Sequence, residues 1–219
     1  MKRTIIAFTI VAIGLLTNKA SAQETTTHTV TTVKRTTIGL RGGLNFQNIT
    51  GKDEAGNKLN NKLKTGFNIG LNAEIPIAPD FYFQPGLLYT TKGAKNIAGT
   101  NATLNLNYLE LPLNLVYKAP MGSGQSVLVG FGSYLALGVG GSYKAYNTDY
   151  KVKFQKDQGT APNTIYYKPV DAGANLLLGY EFTKKFSAQI NAQLGLIDIN
   201  ASNGKTANTG FGVSLGYRF

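Results

Sequence analysis

The side chains that most often carry out catalysis or bind transition metals are nearly absent from this chain. It contains one histidine, His28, and no cysteine. Ser-His-Asp and Cys-His catalysis both place an imidazole beside the nucleophile, and zinc sites are built largely from His and Cys. Because His28 lies in an N-terminal segment outside the elements predicted below, the sequence predicts no enzymatic activity, no metal site and no cofactor.

Two glycine-rich stretches could be mistaken for phosphate-binding loops. They are Gly130-Phe131-Gly132 and residues 138–141. A phosphate loop needs a strand, a turn and then a helix, so that backbone amides point at the phosphate. Neither stretch has that context, and close packing inside a narrow barrel explains both better.

A third set of residues has the chemistry of a buried ion network. Its charged and amide side chains alternate with apolar residues, so they share one face of the predicted strands. Side chains just fill the interior of an eight-stranded barrel, and a lone charge there has a large desolvation cost. We therefore expect Arg41, Glu74 and Glu110 to pair across neighbouring strands and plug the lumen, with a conducting path or a ligand site as alternatives. The predicted polar network of the lumen consists of Arg41, Glu74, Gln84, Glu110, Asp171, Asn175 and Arg218, with Gln189 and Asn191 on the same face.

Eight stretches of alternating hydrophobicity must position these side chains. The last is the clearest, because from Thr209 to Phe219 every odd position except that threonine is large or apolar and every even position is small or polar. A period of two is that of a β-strand with one apolar face. The same pattern predicts strands over residues 36–46, 65–77, 81–90, 103–117, 126–140, 168–180, 186–197 and 207–219.

The fourth stretch contains a change of parity. Leu104 and Leu106 are even, whereas Leu109 and Leu111 are odd. One extra residue near Tyr108 would restore the register, so we expect a β-bulge there.

The links between the strands alternate between short and long. Short links are typical of periplasmic turns and long links of extracellular loops, and the longest predicted loop covers residues 141–167. Charged residues make up only 15% of the chain, yet the mean hydropathy of -0.09 is too low for a bundle of membrane helices. The expected fold class is all-β, an eight-stranded antiparallel up-and-down transmembrane β-barrel in an outer membrane.

The aromatic residues favour lipid, and not water, outside this barrel. A soluble barrel of the lipocalin kind is the alternative, but the polar row is mostly Gly, Asn, Gln and Ser, a poor solvent surface. Aromatic side chains on the apolar parity cluster near both ends of the strands, as in the girdles of membrane barrels. The predicted girdle contains Phe81, Tyr117, Tyr180, Phe186, Tyr217 and Phe219 at the periplasmic ends, and Phe46, Phe67 and Tyr89 at the opposite ends.

The first residues have the pattern of an export signal. Lys2 and Arg3 precede an apolar run over residues 5–16, and Ala20-Ser21-Ala22 is a small-residue cleavage site. We expect a signal peptide over residues 1–22, a flexible periplasmic lead-in over 23–35 with a short added strand as the alternative, and the barrel domain over 36–219.

The mature chain is cationic. Loss of Lys2, Arg3 and Lys19 with the signal lowers the formal charge from +11 to +8. The lysines fall mostly in predicted loops, no nucleic-acid-binding motif is present, and an export signal precedes them, so nucleic acid is not an expected partner. Cationic extracellular loops are expected to meet anionic lipopolysaccharide of the outer membrane or acidic polymers outside the cell.

Four motifs carry a resemblance to a known family. They are FYFQPGLLYTTKG from Phe81, YLELPLNLVYK from Tyr108, VGFGSYLALGVGG from Val129, and the closing GYRF. In this order they resemble the PorT-type, porin-like outer-membrane β-barrel domain of Gram-negative Bacteroidetes, similar in size to the small OmpA/OmpX-like barrels. The resemblance implies an outer-membrane location, and Phe219 resembles the C-terminal assembly signal that the barrel-assembly machinery reads.

The expected function is that of a structural or interaction barrel with a side-chain-filled lumen and cationic extracellular loops. A narrow porin for small solutes is one alternative. An accessory barrel of a protein-secretion system is another, because some members of the resembled family are implicated in secretion, and it would add secretion-system subunits to the partners.

Overall fold

The computed structural model describes residues 35–53, 55–146, 148–202 and 204–219. The predicted signal peptide, and the lead-in as far as residue 34, lie outside the described residues. Arg35 is exposed and precedes the first strand. Among the described residues, no helix has the length and apolar character needed to cross a membrane.

Ten strands and one short 3-10 helix, Ile97–Gly99, form the described fold. Each predicted strand is present, within six residues at either end, and the two additional strands lie inside the longest predicted loop. The strands are β1 (Thr37–Lys52), β2 (Lys64–Ala78), β3 (Phe81–Lys95), β4 (Thr103–Gly122), β5 (Gln125–Ala145), β6 (Thr148–Phe154), β7 (Thr164–Tyr167), β8 (Val170–Glu181), β9 (Phe186–Gly195) and β10 (Lys205–Arg218).

Eight of these strands form a closed antiparallel ring in the order β1-β2-β3-β4-β5-β8-β9-β10. The ring closes because β10 pairs with β1 from Gly39↔Arg218 to Lys52↔Lys205. Closure leaves no free edge in the ring. The predicted fold class is therefore confirmed. Membrane barrels have short turns on the periplasmic side and longer loops on the extracellular side. We therefore name the end with the short β2–β3, β4–β5 and β8–β9 turns the periplasmic end, and we name the opposite end the extracellular end.

The outer surface of the ring is an apolar belt. Large side chains on the outward parity remain exposed, such as Leu176 at 63% and Leu215 at 67%, while their neighbours in sequence, Asn175 and Ser214, are buried. This is the inverse of a soluble protein, and it matches a barrel whose outer side contacts hydrocarbon.

Above this belt, the outer face of the barrel wall becomes polar and the inner face becomes apolar. β1 continues to Lys52, six residues beyond the prediction, and β3 continues to Lys95, five residues beyond it. At this height, in the β1 extension and at the start of β4, outward positions are polar, such as Thr50 and Asn105, while inward positions are apolar and buried, such as Ile49 and Leu104. A polar outer face around an apolar interior is the pattern of a water-exposed sheet.

This exchange explains the change of parity in β4. An irregularity is present between Asn107 and Tyr108, as predicted, but the extra residue is Val139 of β5, since Asn107 pairs with Gly140 and Tyr108 with Gly138. Every even residue of β4 from Leu104 to Lys118 remains buried. The irregularity beside Tyr108 is therefore confirmed, whereas the predicted extra residue in β4 and its effect are wrong, because Val139 of β5 is the extra residue and Leu104 and Leu106 lie on the inner face.

The segment 141–167 is not the irregular loop that the sequence predicted. β5 continues through its first residues, β6 returns antiparallel to it, and β7 lies parallel to β6. Tyr143 and Tyr150 pair across this hairpin, with ring centroids 5.9 Å apart. We call residues 148–167, which contain β6 and β7, the cap.

Candidate functional site

The structure places the predicted lumen residues inside the ring. Arg41, Glu74, Gln84, Glu110, Asp171 and Asn175 are each at most 6% exposed, and Arg218, at the periplasmic mouth, has a side chain that is 17% exposed. They do not form one network. Their ion pairs divide into two clusters at different heights in the barrel, and each contains residues that the sequence did not single out.

The mouth cluster closes the periplasmic end. Lys118 Nζ lies 2.6 Å from Glu74 Oε2 and 2.8 Å from Glu181 Oε2. Arg218 Nη2 lies 2.7 and 2.8 Å from the same two oxygens. Gln84 Nε2 donates to Glu74 Oε1 at 3.2 Å. Four charges from β2, β4, β8 and β10 therefore meet across the lumen.

The central cluster lies higher and is more deeply buried. Lys92 Nζ lies 2.8 Å from Glu110 Oε2 and 3.2 Å from Asp171 Oδ2, and none of the three side chains is more than 3% exposed. The hydroxyl of Tyr134 and the amide of Asn208 also donate to Asp171. Gln193 Nε2 donates to Glu110 Oε1 at 2.6 Å, and the Tyr134 ring lies 3.9 Å below the Lys92 ammonium. Such hydrogen bonds offset part of the cost of burying the charges.

Arg41 lies between the two clusters and does not pair with Glu74. Its Nε donates to Ser214 Oγ at 2.9 Å and its Nη2 to Asn191 Oδ1 at 3.2 Å. Glu74 is opposite Thr37, four positions from Arg41 along β1, which is about 13 Å along a strand. The predicted Arg41–Glu74 pair is therefore wrong, whereas Glu74 and Glu110 do pair across strands, with partners that the sequence did not suggest.

Sequence reasoning missed Lys92, Lys118 and Glu181. It assigned Lys92 to a loop and Lys118 to a turn, and it ended the sixth predicted strand one residue before Glu181. The signal was present, because Lys92 continues the inward parity of Gln84 and Lys118 that of Glu110. Extending each alternation past the end of the apolar belt would have found all three.

The charges of the two ion clusters and Arg41 balance. The two clusters and Arg41 together contain four cations and four carboxylates, which are Arg41, Lys92, Lys118, Arg218, Glu74, Glu110, Asp171 and Glu181. Within the ranges that the structure describes, no group of three or more His, Cys, Asp or Glu side chains is arranged to hold a metal ion. The carboxylates of the lumen are neutralised by protein cations instead.

The space between the clusters is small. A cavity of about 20 Å³ lies beside Arg41, Glu74 and Gln189, and a second of about 10 Å³ lies beside Asn45 and Asn68. Each has room for roughly one water molecule. Side-chain oxygens of Asn45, Asn68 and Gln189 have no hydrogen-bond partner among the residues that the structure describes, so these sites offer a water several hydrogen bonds.

An apolar layer closes the barrel above the central cluster. The ring of Phe154, from the cap, lies on Tyr108 with centroids 5.4 Å apart, and Val152 is 6% exposed in the same cluster. The buried members of this layer are Ile49, Ala94, Leu104, Leu106, Tyr108, Tyr134, Ala136, Val152 and Ile199.

Gly138 makes room for the cap. A Cβ atom there would overlap the ring of Phe154, whereas a Cβ at Gly140, two residues along β5, would meet nothing within 4 Å. We expect Gly138→Ala to displace Phe154 and to lower the stability of the cap by about 1–3 kcal/mol, the usual effect of overpacking. Protease cleavage between β5 and β8 measures this loss. Gly140→Ala is the matched control, and equal cleavage of both variants would contradict the placement of Phe154.

The structure places the predicted girdle aromatics on the outside of the ring. At the periplasmic end, Phe81 pairs with Tyr117 at 5.0 Å and Phe186 with Tyr217 at 5.1 Å between ring centroids, and Phe219 packs on Tyr217. Nearer the extracellular end, Phe46 pairs with Phe211 and Phe67 with Tyr89, and Tyr180 pairs with Phe182 at the other end. Phe182 and Phe211 were not among the predicted members.

Asp198 organises the link between β9 and β10 outside the belt. Its carboxylate accepts hydrogen bonds from Lys168 Nζ and from the backbone amides of Asn200 and Thr206. Partial burial by itself would raise the pKa of Asp198, but these donors outweigh it and hold the pKa below its ordinary value.

The depressed pKa of Asp198 predicts a loss of local order in acid. A carboxyl whose folded pKa is lowered stabilises the fold above its unfolded pKa, about 3.9, and loses that contribution as the pH falls through the folded value. We expect the amide resonances of Asn200 and Thr206 to shift with a midpoint below the ordinary pKa of an aspartate. In Asp198→Asn this transition should be missing, and its persistence would assign it to another group.

Comparisons with known proteins identify the architecture. The family described as outer membrane protein beta-barrel domain matches residues 21–201. Solved structures that resemble the chain include Ail of Yersinia pestis in complex with the heparin analogue sucrose octasulfate, with 13% identity, 85% of this chain and 100% of that chain covered, and a TM-score of 0.44. Neisserial surface protein A is 12% identical, with 85% of this chain and 100% of that chain covered and a TM-score of 0.46. OprG of Pseudomonas aeruginosa is 14% identical, with 84% of this chain and 95% of that chain covered and a TM-score of 0.46. No curated protein sequence matches the chain.

Proposed function

The chain belongs to the outer membrane protein beta-barrel domain family and lies in the outer membrane, and we propose that it is a closed barrel whose function is to hold an ordered surface outside the cell. The observation that carries this proposal is the apolar layer above the central cluster. Tyr108, Leu104 and Leu106 are fully buried in it, beneath Val152 of the cap. A water-filled channel does not pass through a layer of close-packed apolar side chains without displacing it.

The two ion clusters support the same function. Each joins strands on different sides of the ring, and an ion must break short, charge-assisted contacts to pass either one. The cavities between the clusters are the size of single water molecules. The lumen thus has the properties of a structural plug, and a narrow porin is the less favoured candidate.

The ordered extracellular end is the part of the closed barrel that would make contacts outside the cell. The strands extend past the apolar belt, the cap packs into them, and the β5–β6 hairpin carries the lysines Lys144, Lys151 and Lys153. A rigid cationic surface suits contact with anionic lipopolysaccharide or with an acidic partner, which is an interaction role. An enzymatic role has no support from a nucleophile and base in the described part of the chain, where histidine is missing.

Single-channel recording in a planar bilayer tests the proposal. We expect the purified barrel to show no conductance steps, because the plug and the apolar layer are part of the folded state. We expect Arg41→Ala to lower the free energy of unfolding by about 1–3 kcal/mol, since Ser214 and Asn191 lose a charged donor, without opening a channel. Conductance that changes in Arg41→Ala at unchanged stability would favour the porin and overturn the plug.

The finer PorT-type assignment, and with it an accessory role in protein secretion, rests on the four sequence motifs. Its signature would be co-purification of secretion-machine subunits with the intact barrel. Recognition of Phe219 by the barrel-assembly machinery is a separate prediction. The exposed ring of this residue, packed against Tyr217 at the end of the ring, is compatible with it.

A further inference from the structure

A larger cavity opens at the extracellular end, apart from the two small cavities between the ion clusters. It has a volume of about 200 Å³ and lies between the β1–β2 connection, the 3-10 helix and the β9–β10 connection. Its walls are mainly apolar and include Leu59, Ile97, Leu104 and Tyr167. A cavity of 150 Å³ with apolar walls holds a benzene molecule, so this one has room for a single ring or a short alkyl chain.

The rim of this cavity is cationic. Lys52 forms part of the rim, is directly opposite Lys205 of β10, and forms a β-bridge with Lys58. Like charges placed opposite each other destabilise a strand pair. None of the three lysines takes part in a salt bridge to any residue that the structure describes. An anion at this position would relieve the repulsion.

The acidic residue on the rim does not supply that anion. Asp53 is committed to its own turn, where its two carboxylate oxygens accept hydrogen bonds from the backbone and side-chain nitrogens of Asn57 at 2.8 and 3.3 Å. Among the described residues, the three lysines therefore remain without a carboxylate partner, while the Asp53 carboxylate holds its own turn in place.

Thr206 provides an independent sign of a ligand. It lines the cavity, is 9% exposed, and its hydroxyl has no hydrogen-bond partner among the described residues. Buried hydroxyls in proteins are normally paired. Thr206 is opposite Gly51, one position from the Lys52–Lys205 pair. Successive residues of a strand point to opposite faces, so the Thr206 hydroxyl lies on the buried face, inside the rim at which Lys52 is exposed.

The geometry points to a binding site for a small amphipathic monoanion, a carboxylate carried on one apolar ring or a short alkyl chain. The apolar part lies against Leu59 and Ile97, next to the fully buried Leu104. The carboxylate accepts hydrogen bonds from the Thr206 hydroxyl and from the ammonium group of Lys52. The inference goes beyond the proposed structural role and does not depend on whether the lumen conducts, because the cavity opens outward, above the apolar layer.

Methyl NMR of the intact barrel in lipid nanodiscs tests the site with three probes that share one ring: benzoate, benzyl alcohol and benzylamine. We expect benzoate to shift the methyl resonances of Ile97, Leu59 and Leu104 in a saturable manner. Benzylamine should bind at least about tenfold more weakly, since it loses a charge-assisted hydrogen bond and meets like charge. Equal or tighter binding of benzylamine would overturn the anion assignment. Shifts confined to belt methyls, such as those of Leu176, would show partition into lipid only and overturn the site.

Two variants separate the parts of the site. Lys52→Gln should weaken benzoate about tenfold and leave benzyl alcohol unchanged, while Ile97→Trp should fill the cavity and abolish binding of both. Lys156→Gln, in the cap, is the matched control for the change in charge and should behave as the unmodified barrel. Benzoate binding unaffected by Lys52→Gln or by Ile97→Trp would overturn the proposal. Neither result changes the conductance record, so failure of this site is distinct from failure of the closed-barrel function.

Discussion

Lys92→Met is expected to lower the free energy of unfolding of the barrel by roughly 3–5 kcal/mol, the usual effect of removing one partner from a buried ion pair. Lys92 is completely buried, and its ammonium is the cation that both Glu110 and Asp171 face at 2.8 and 3.2 Å. Without it, two carboxylates remain in the lumen with only neutral donors such as Tyr134 and Gln193. The large effect comes from these uncompensated charges more than from the net strength of the pair.

Urea unfolding of the barrel in lipid, followed by the gel mobility of unheated samples, measures the loss. Lys95→Met is the matched control, because Lys95 lies three residues along the same strand, is exposed and has no carboxylate partner in the described chain. It should change the stability by less than about 0.5 kcal/mol. The triple variant Lys92→Met, Glu110→Gln, Asp171→Asn should recover most of the lost stability, because it also removes the two carboxylate charges that Lys92→Met leaves unpaired. A Lys92→Met barrel as stable as Lys95→Met would show that the central cluster does not hold the ring together.

Leu106→Ala is expected to destabilise the extracellular end by about 2–5 kcal/mol. Leu106 has no exposed surface and lies in the apolar layer with Tyr108, Ala94 and Val152. Truncation would leave a cavity at the point where the cap meets the wall. Because this layer lies above the belt, the loss should fall first on the cap and only later on the ring.

Hydrogen exchange of the backbone amides of β6 and β7 measures the first effect, and urea unfolding of the whole barrel the second. Asn107→Ala is the control, since Asn107 is the next residue in β4 and is on the outward face above the belt. We expect faster exchange of the Val152 amide in Leu106→Ala and no change in Asn107→Ala. The opposite result would place Leu106 on the outside of the wall, as a change of face at Tyr108 would have required.

Much of the ring follows from the sequence because strand pleating has an exact period of two. β2, predicted over residues 65–77, runs from Lys64 to Ala78, and β9 begins at Phe186 as predicted. The same period places Arg41, Glu74 and Asn175 inside the ring without knowledge of their partners. Alternation is a local property, and each strand of a closed antiparallel barrel shows it independently of the others.

The sequence did not predict which charged side chains pair with each other in the lumen. Lys118 bridges Glu74 and Glu181, which are 44 and 63 residues away along the chain. Which side chains meet depends on the register of every strand pair around the ring. A pattern read one strand at a time has no information on that register, so it named Arg41 as the partner of Glu74 when the two are four positions apart in height.

The sequence by itself determined the number of barrel strands, the two faces of each strand within the apolar belt and the inward placement of polar groups such as Arg41 and Glu74, because all three follow from a short-range period. Only the tertiary structure decided at which height the apolar face changes from the outer to the inner side of the wall, since alternation identifies two faces but not which of them contacts water. Leu104 and Leu106 lie on the lumen side because the barrel wall at their height is above the apolar belt, where its outer face contacts water. The cap covers the lumen at this height, so apolar side chains are shielded from water when they point inward.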